Sequence, residues 1–142
     1  MISLSDYLMG RREQYPDAYG PDIEREALRT VEIVNKLLDA ATLHRVILTD
    51  RSPRTGTLVS SGWRPPQVNA TTANAAPRSL HMRGQAIDLY DPEGELDDWL
   101  MTEAGQAELV KLGLWMEHPG ATKSWSHLQT KPPRSGRRVF WP

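Results

Sequence analysis

The chain has 142 residues, 39% hydrophobic and 25% charged, enough for one core and one domain over 1–142 and too few for a second module of ordinary size. Cysteine is absent, which excludes disulfides, thiol nucleophiles, thiolate zinc fingers and iron–sulfur clusters and leaves any metal to Asp, Glu or the four His. The net charge of -1 carries no global nucleic-acid footprint, so no nucleic-acid partner is expected.

Met1-Ile2-Ser3-Leu4-Ser5-Asp6 lacks the basic start and apolar run of an export signal, so cytoplasmic synthesis is expected. Residues 3–14 read as a short helix ending before Pro16. Residues 22–41 read as the main scaffold helix. Ile23, Ala27, Val31, Val34, Leu38 and Ala41 recur at threes and fours, with Asp22 as N-cap after Pro21. Residues 1–45 thus form a helical scaffold. Arg45–Thr49 and Thr57–Ser61 are β-branched runs and read as strands joined by the turn Asp50-Arg51-Ser52-Pro53-Arg54. Residues 62–80 carry Gly62, Pro65, Pro66, Asn69, Asn74 and Pro77 and read as a long irregular loop, of the kind that usually carries function.

Gln85–Tyr90 reads as a strand, with Ile87 and Leu89 on either side of Asp88. Residues 95–112 read as a second scaffold helix, ended by Gly113. Leu114–His118 and Trp125–Gln129 are short strands, and in the second Trp125 and His127 share a face. The tail 130–142 is basic and ends in Val139-Phe140-Trp141-Pro142, aromatics that predict a tail folded back on the body. The expected fold class is α+β, with helices packed on a small, mostly antiparallel sheet. No run approaches the ~18 apolar residues of a membrane span.

Charge is uneven. Gly84–Val110 holds eight acids and no base, and His118–Pro142 holds five bases and no acid. Two solvated faces that attract each other are the ordinary reading, and a basic tail meeting an anionic polymer is the sharper one.

The chemistry concentrates in Ser79-Leu80-His81-Met82-Arg83-Gly84-Gln85-Ala86-Ile87-Asp88. Two ligands of one zinc ion lie within a few ångströms of each other, since each stands ~2.0–2.2 Å from the metal. Between His81 and Asp88, straight strand would leave about 23 Å and helix about 10 Å. The chain must bend between them, and Gly84 permits it. His44, His118 and His127 are the choices for a third ligand. Two His, one Asp and an open position make a catalytic rather than a structural zinc arrangement.

Ser79-x-His81-x-x-Gly84-x-Ala86-x-Asp88 followed by Trp125-x-His127 resembles the zinc D-alanyl-D-alanine carboxypeptidases and L-alanyl-D-glutamate endopeptidases. These are peptidoglycan peptidases of the hedgehog/DD-peptidase fold, phage endolysins among them. Upstream, Ser60-Ser61-Gly62-Trp63-Arg64-Pro65-Pro66-x-x-Asn69 is similar to the family's Ser-Gly-aromatic-Arg segment, so the resemblance spans about residues 57–129. It implies that His81, Asp88 and His127 hold one zinc ion in a metal-site core over 46–129. It implies that Arg64 contacts substrate or the developing oxyanion, for which a guanidinium fork is suited. Ser79 is either a substrate contact or a turn residue fixing the backbone before His81.

The chain departs from the family at one position. Several branches place the general base three residues before the last His, where this chain has Ser124, and a hydroxyl cannot take that proton. Other branches place an acid farther upstream, and Glu117 is the only carboxylate between Glu108 and the C-terminus. The implied activity is zinc-dependent hydrolysis of a peptide bond in peptidoglycan stem peptides, with Glu117 as base and Arg64 facing the tetrahedral oxygen. The alternative is a zinc-binding wall-recognition or phage structural protein of the same fold with little or no catalysis. A monomer that reaches the cell wall after release is expected.

Overall fold

A computed structural model describes residues 1–142. Six α-helices surround one five-stranded sheet of order β1-β2-β4-β3-β5, with β1 at Val59–Ser61, β2 at Ala86–Tyr90, β3 at Trp115–Glu117, β4 at Trp125–Gln129 and β5 at Val139–Phe140. All neighbours are antiparallel except β3 and β5. The fold class is α+β, as the sequence predicts.

The N-terminal segment forms two helices where one is expected, α1 at Leu4–Leu8 and α2 at Arg11–Gln14. Ser3 and Asp6 cap α1 reciprocally, each side chain accepting from the other's backbone N–H (3.0 and 2.9 Å). Met9 and Gly10 both adopt left-handed backbone and part the two. The main helix, α3, runs from Pro21 to Leu43, longer at both ends than 22–41. Its N-cap is Gly20 rather than Asp22, because Pro21, with its fixed φ and missing N–H, takes the first helical position. Ala27, Thr30, Val31, Val34, Leu37 and Ala41 form its buried stripe.

Residues 45–49 form no strand. Arg45, at φ 64°, turns the chain off α3, and Val46 and Leu48 pack against the core without a partner strand. The second expected strand shortens to Val59–Ser61. Thr55 and Thr57 hydroxyls bond the Val59 backbone instead (2.7 Å to O, 3.1 Å from N), a local alternative to a longer ladder. The 62–80 loop contains one helical turn, α4, at Pro66–Asn69. The 95–112 helix is broken into α5 (Glu95–Leu100) and α6 (Glu103–Leu112), because the Thr102 hydroxyl accepts from Gly105 N (3.2 Å) and starts a new helix. The buried Asp91 carboxylate accepts from Leu96 N and Asp97 N at the start of α5 and from the Ser126 hydroxyl of β4 (2.9 Å), fastening α5 to the centre of the sheet.

The tail does fold back, with β5 lying parallel along β3. None of the ion pairs joins its bases to the acidic segment; Arg138 instead lies 4.3 Å over the Trp115 ring and donates to Leu114 O. No helix is long and apolar enough to cross a membrane.

Ile87, Leu89 and Leu128 point from the central strands into a core shared with Val34 and Leu37 of α3 and Leu109 of α6. By the two-residue period of a strand, Asp88 and His127 point to the other face. The start of that face is pinned to α1 at Gly62. Trp63 N donates to Tyr7 O (3.0 Å), and a Cβ on Gly62 would stand 1.9 Å from that same oxygen. Both groups there are backbone, so neither can rotate away. Gly62→Ala is expected to cost about 3 kcal/mol by overpacking, read as a lowered midpoint in thermal unfolding; an unchanged midpoint would show that α1 is not seated on this glycine.

Candidate metal centre

Five strands place a row of side chains across the sheet. Ser61 pairs with Asp88, Asp88 pairs with His127, and Glu117 pairs with Phe140. In the register that matches Trp115 with Gln129 and Met116 with Leu128, Glu117 falls level with His127. Directly opposed residues of an antiparallel pair carry Cβ atoms ~4.5–5.5 Å apart on one face. Asp88 and His127, far apart in the chain, therefore meet.

His81 arrives from outside the sheet. It sits on a 3-10 turn, Leu80–Arg83, that ends at Gly84 in left-handed backbone (φ 73°). This is the bend that the spacing to Asp88 requires. The turn is fixed from three sides. Thr30 of α3 donates its hydroxyl to Gly84 O (2.7 Å). The Ser79 hydroxyl accepts from His81 N (3.2 Å), capping the turn. Gly62-Trp63-Arg64 then splints it: Gly62 O faces His81 Nδ1 (2.9 Å), the buried Trp63 indole donates to Met82 O (3.1 Å), and Arg64 N donates to His81 O (3.0 Å).

These contacts fix which nitrogens are free. Gly62 O can only accept, so His81 Nδ1 carries a proton and Nε2 is the nitrogen that faces Asp88 Oδ2, 3.4 Å away. Gln129 donates its amide to Lys131 O, which leaves its oxygen to accept from His127 Nε2 (2.9 Å) and turns His127 Nδ1 to Asp88 Oδ1 (2.8 Å). One donor atom from each of His81, Asp88 and His127 lies within 4.8 Å of the others. Two ligands of a tetrahedral zinc stand about 3.4 Å apart, so modest adjustment seats one ion. The buried His81–Asp88–His127 group can hold a metal ion, with each His oriented through its other nitrogen.

Without metal, protons hold the group together. Burial alone would raise the Asp88 carboxyl, but the charge of His81 and the hydrogen bond from His127 hold it well below the usual carboxylate range. Burial alone would lower His127, but the Asp88 hydrogen bond and charge, with Glu117 adding, raise it to about 9.

Glu117 and Arg64 border the same cleft, of about 580 Å³, as do Ser79 and Trp125. Glu117 Oε1 lies 3.9 Å from His127 Nε2, and burial raises its pKa, partly offset by His127. Arg64 is 8% exposed, and its Nε has no partner within the chain. The other two His are held elsewhere. His44 packs on Trp99 (5.4 Å), and His118 accepts from Gly120 N and stacks on Trp141 (4.3 Å). Sequence reasoning missed Gly62 and Gln129 as the groups that orient the two His. Gln129, two residues past His127 on the same strand face, was legible by period; the Gly62 contact was not.

The chain matches no protein-family model, no curated protein and no solved structure.

Metal binding must displace the His127 proton. The sign follows from the raised value. In the metal-free protein the His127–Asp88 pair contributes stability that is fully present below the ordinary His pKa of ~6.5 and is lost as pH rises through about 9. Affinity for a divalent metal ion should therefore climb as pH rises toward about 9, with proton release measurable by calorimetry in buffers of different ionisation enthalpy. His81→Ala and Asp88→Ala should each abolish stoichiometric metal binding; full occupancy in both by elemental analysis would remove the site.

Proposed function

We propose that this chain is a zinc-dependent peptidase of the hedgehog/DD-peptidase type, hydrolysing a peptide bond in peptidoglycan stem peptides. The observation that carries the reading is the pair of His side chains whose outer nitrogens are bonded to Gly62 O and Gln129 Oε1 while their inner nitrogens face Asp88. Three N and O ligands, leaving a position open, are the donor set of a catalytic zinc rather than a structural one. An ion held there supplies Lewis acidity toward a water and the scissile carbonyl. Glu117, its pKa raised by burial, takes the proton of the attacking water and delivers it to the leaving amine. Arg64, which borders the cleft, offers guanidinium donors to the charge that develops on the carbonyl oxygen. Ser79 positions His81 through the turn it caps and borders the cleft beside the substrate.

A second reading has one observation in its favour. Glu117 lies beside His127 Nε2, the nitrogen turned away from Asp88, and Ser124 stands where several family branches carry their acid. On that reading Glu117 only orients His127, and the protein binds zinc and wall peptide without cutting.

Glu117→Gln separates the two. As a peptidase base it should retain one zinc per chain yet lose about 100-fold or more in rate, measured as new free amino groups from purified peptidoglycan. An unchanged rate would remove Glu117 from the mechanism. No release of amino groups by the zinc-loaded wild type would favour the binding module.

A further inference from the structure

Arg11, Arg54 and Arg64 border the metal cleft together. They come from three separate elements. Arg11 opens α2 and donates Nη1 to Trp63 O (2.8 Å). Arg54, in the turn before β1, donates Nη2 to Ser60 O. Arg64 follows the same backbone stretch, so two guanidiniums are clamped to carbonyls on either side of the strand end that leads into the third. None of the three pairs with a carboxylate. The Arg and Lys ion pairs are Arg12–Glu13, Arg25–Asp22, Lys36–Glu32 and Lys111–Glu108, all elsewhere. A guanidinium has five N–H donors, and each clamp uses one. Burial lowers the pKa of both Arg11 and Arg64, and neighbouring guanidiniums lower each further. Asp88 offsets this at Arg64. Asp88 and Glu117 line the same cleft, yet no carboxylate stands within ion-pair distance of Arg11 or Arg54, so their remaining donors are open to an anion from outside the chain.

We infer that Arg11 and Arg54 form a carboxylate-binding wall distinct from the Arg64 contact, so that the cleft takes a peptide carrying two carboxylates, one at Arg64 and one between Arg11 and Arg54. This rests on the peptidase reading for the peptide's class, while the anion wall itself rests on the placement of Arg11 and Arg54. Stem peptides offer two such groups, the C-terminal carboxylate and the α-carboxylate of γ-linked D-glutamate. A fork of N–H donors suits a planar carboxylate, and the clamps hold two of those forks in place before ligand arrives.

The test is calorimetric binding to the full-length, zinc-loaded protein. The probes are L-Ala-γ-D-Glu-L-Lys-D-Ala-D-Ala, the same peptide amidated at the D-Glu α-carboxyl, and the same peptide amidated at its C-terminus. Each amidation should weaken binding to the wild type by about tenfold or more, as expected for loss of a charge-assisted hydrogen-bonded pair. In R11Q/R54Q one of those two penalties should vanish while the other persists, and the penalty that vanishes identifies the carboxylate held by the wall. Zinc content and the thermal midpoint report whether the variant is folded. If it is not, the wild-type comparison still decides, because indifference to either amidation overturns the two-carboxylate cleft. Two undiminished penalties in folded R11Q/R54Q would overturn the wall. Discriminating binding without hydrolysis would contradict the peptidase reading and leave the wall standing.

Discussion

The register between β2 and β4 is the constraint on which the site depends. It sets Asp88 against His127, and the same alternation sends Ile87, Leu89 and Leu128 into the core. A slip of one residue would turn every side chain of the strand to the opposite face. It would expose fully buried side chains worth ~1.5–3 kcal/mol each and bury a carboxylate among them. Core packing thus enforces the geometry of the polar face. Asp91 adds to this, because its carboxylate ties the start of α5 to Ser126, the neighbour of His127.

Around that fixed row, backbone groups and buried side chains together hold the remaining pieces. Gly62 O orients one His, and Arg64 N and the Trp63 indole grip the turn that carries it. Gly62 in turn lies so close to Tyr7 that only glycine fits, which links the N-terminal helix to the orientation of His81. A preorganised ligand set of this kind costs little further ordering when a metal enters. The cost is electrostatic instead. In the metal-free protein a proton on His127 stands in for the cation opposite Asp88, and neither Arg11 nor Arg54 is paired with a carboxylate.

Much of this was legible locally. The spacing of His81, Gly84 and Asp88 demanded a bend, and the alternation around Asp88 demanded a strand. Terminal aromatics implied a tail folded on the body, and β5 lies along β3 as that implies. What pattern alone could not supply is non-local. His44, His118 and His127 are equivalent by spacing, and only stacking on Trp99 and Trp141 takes the first two out of consideration. Residues 45–49 have strand composition, but β-branched side chains make a strand only where another strand offers its edge. The helix over 95–112 failed for a reason the sequence did contain, since Thr102 is a helix-starting residue set inside a continuous apolar pattern. The Gly62 approach to Tyr7 is a contact between two distant backbones, with no trace in either segment.

On the proposed reading His81, Asp88 and His127 share one zinc ion. Crystals grown or soaked with zinc and measured on both sides of the zinc absorption edge test it most directly. One strong anomalous peak is expected within bonding distance of His81 Nε2, an Asp88 carboxylate oxygen and His127 Nδ1. A difference map with no peak there, or a peak bound instead by His44 or His118, would contradict it.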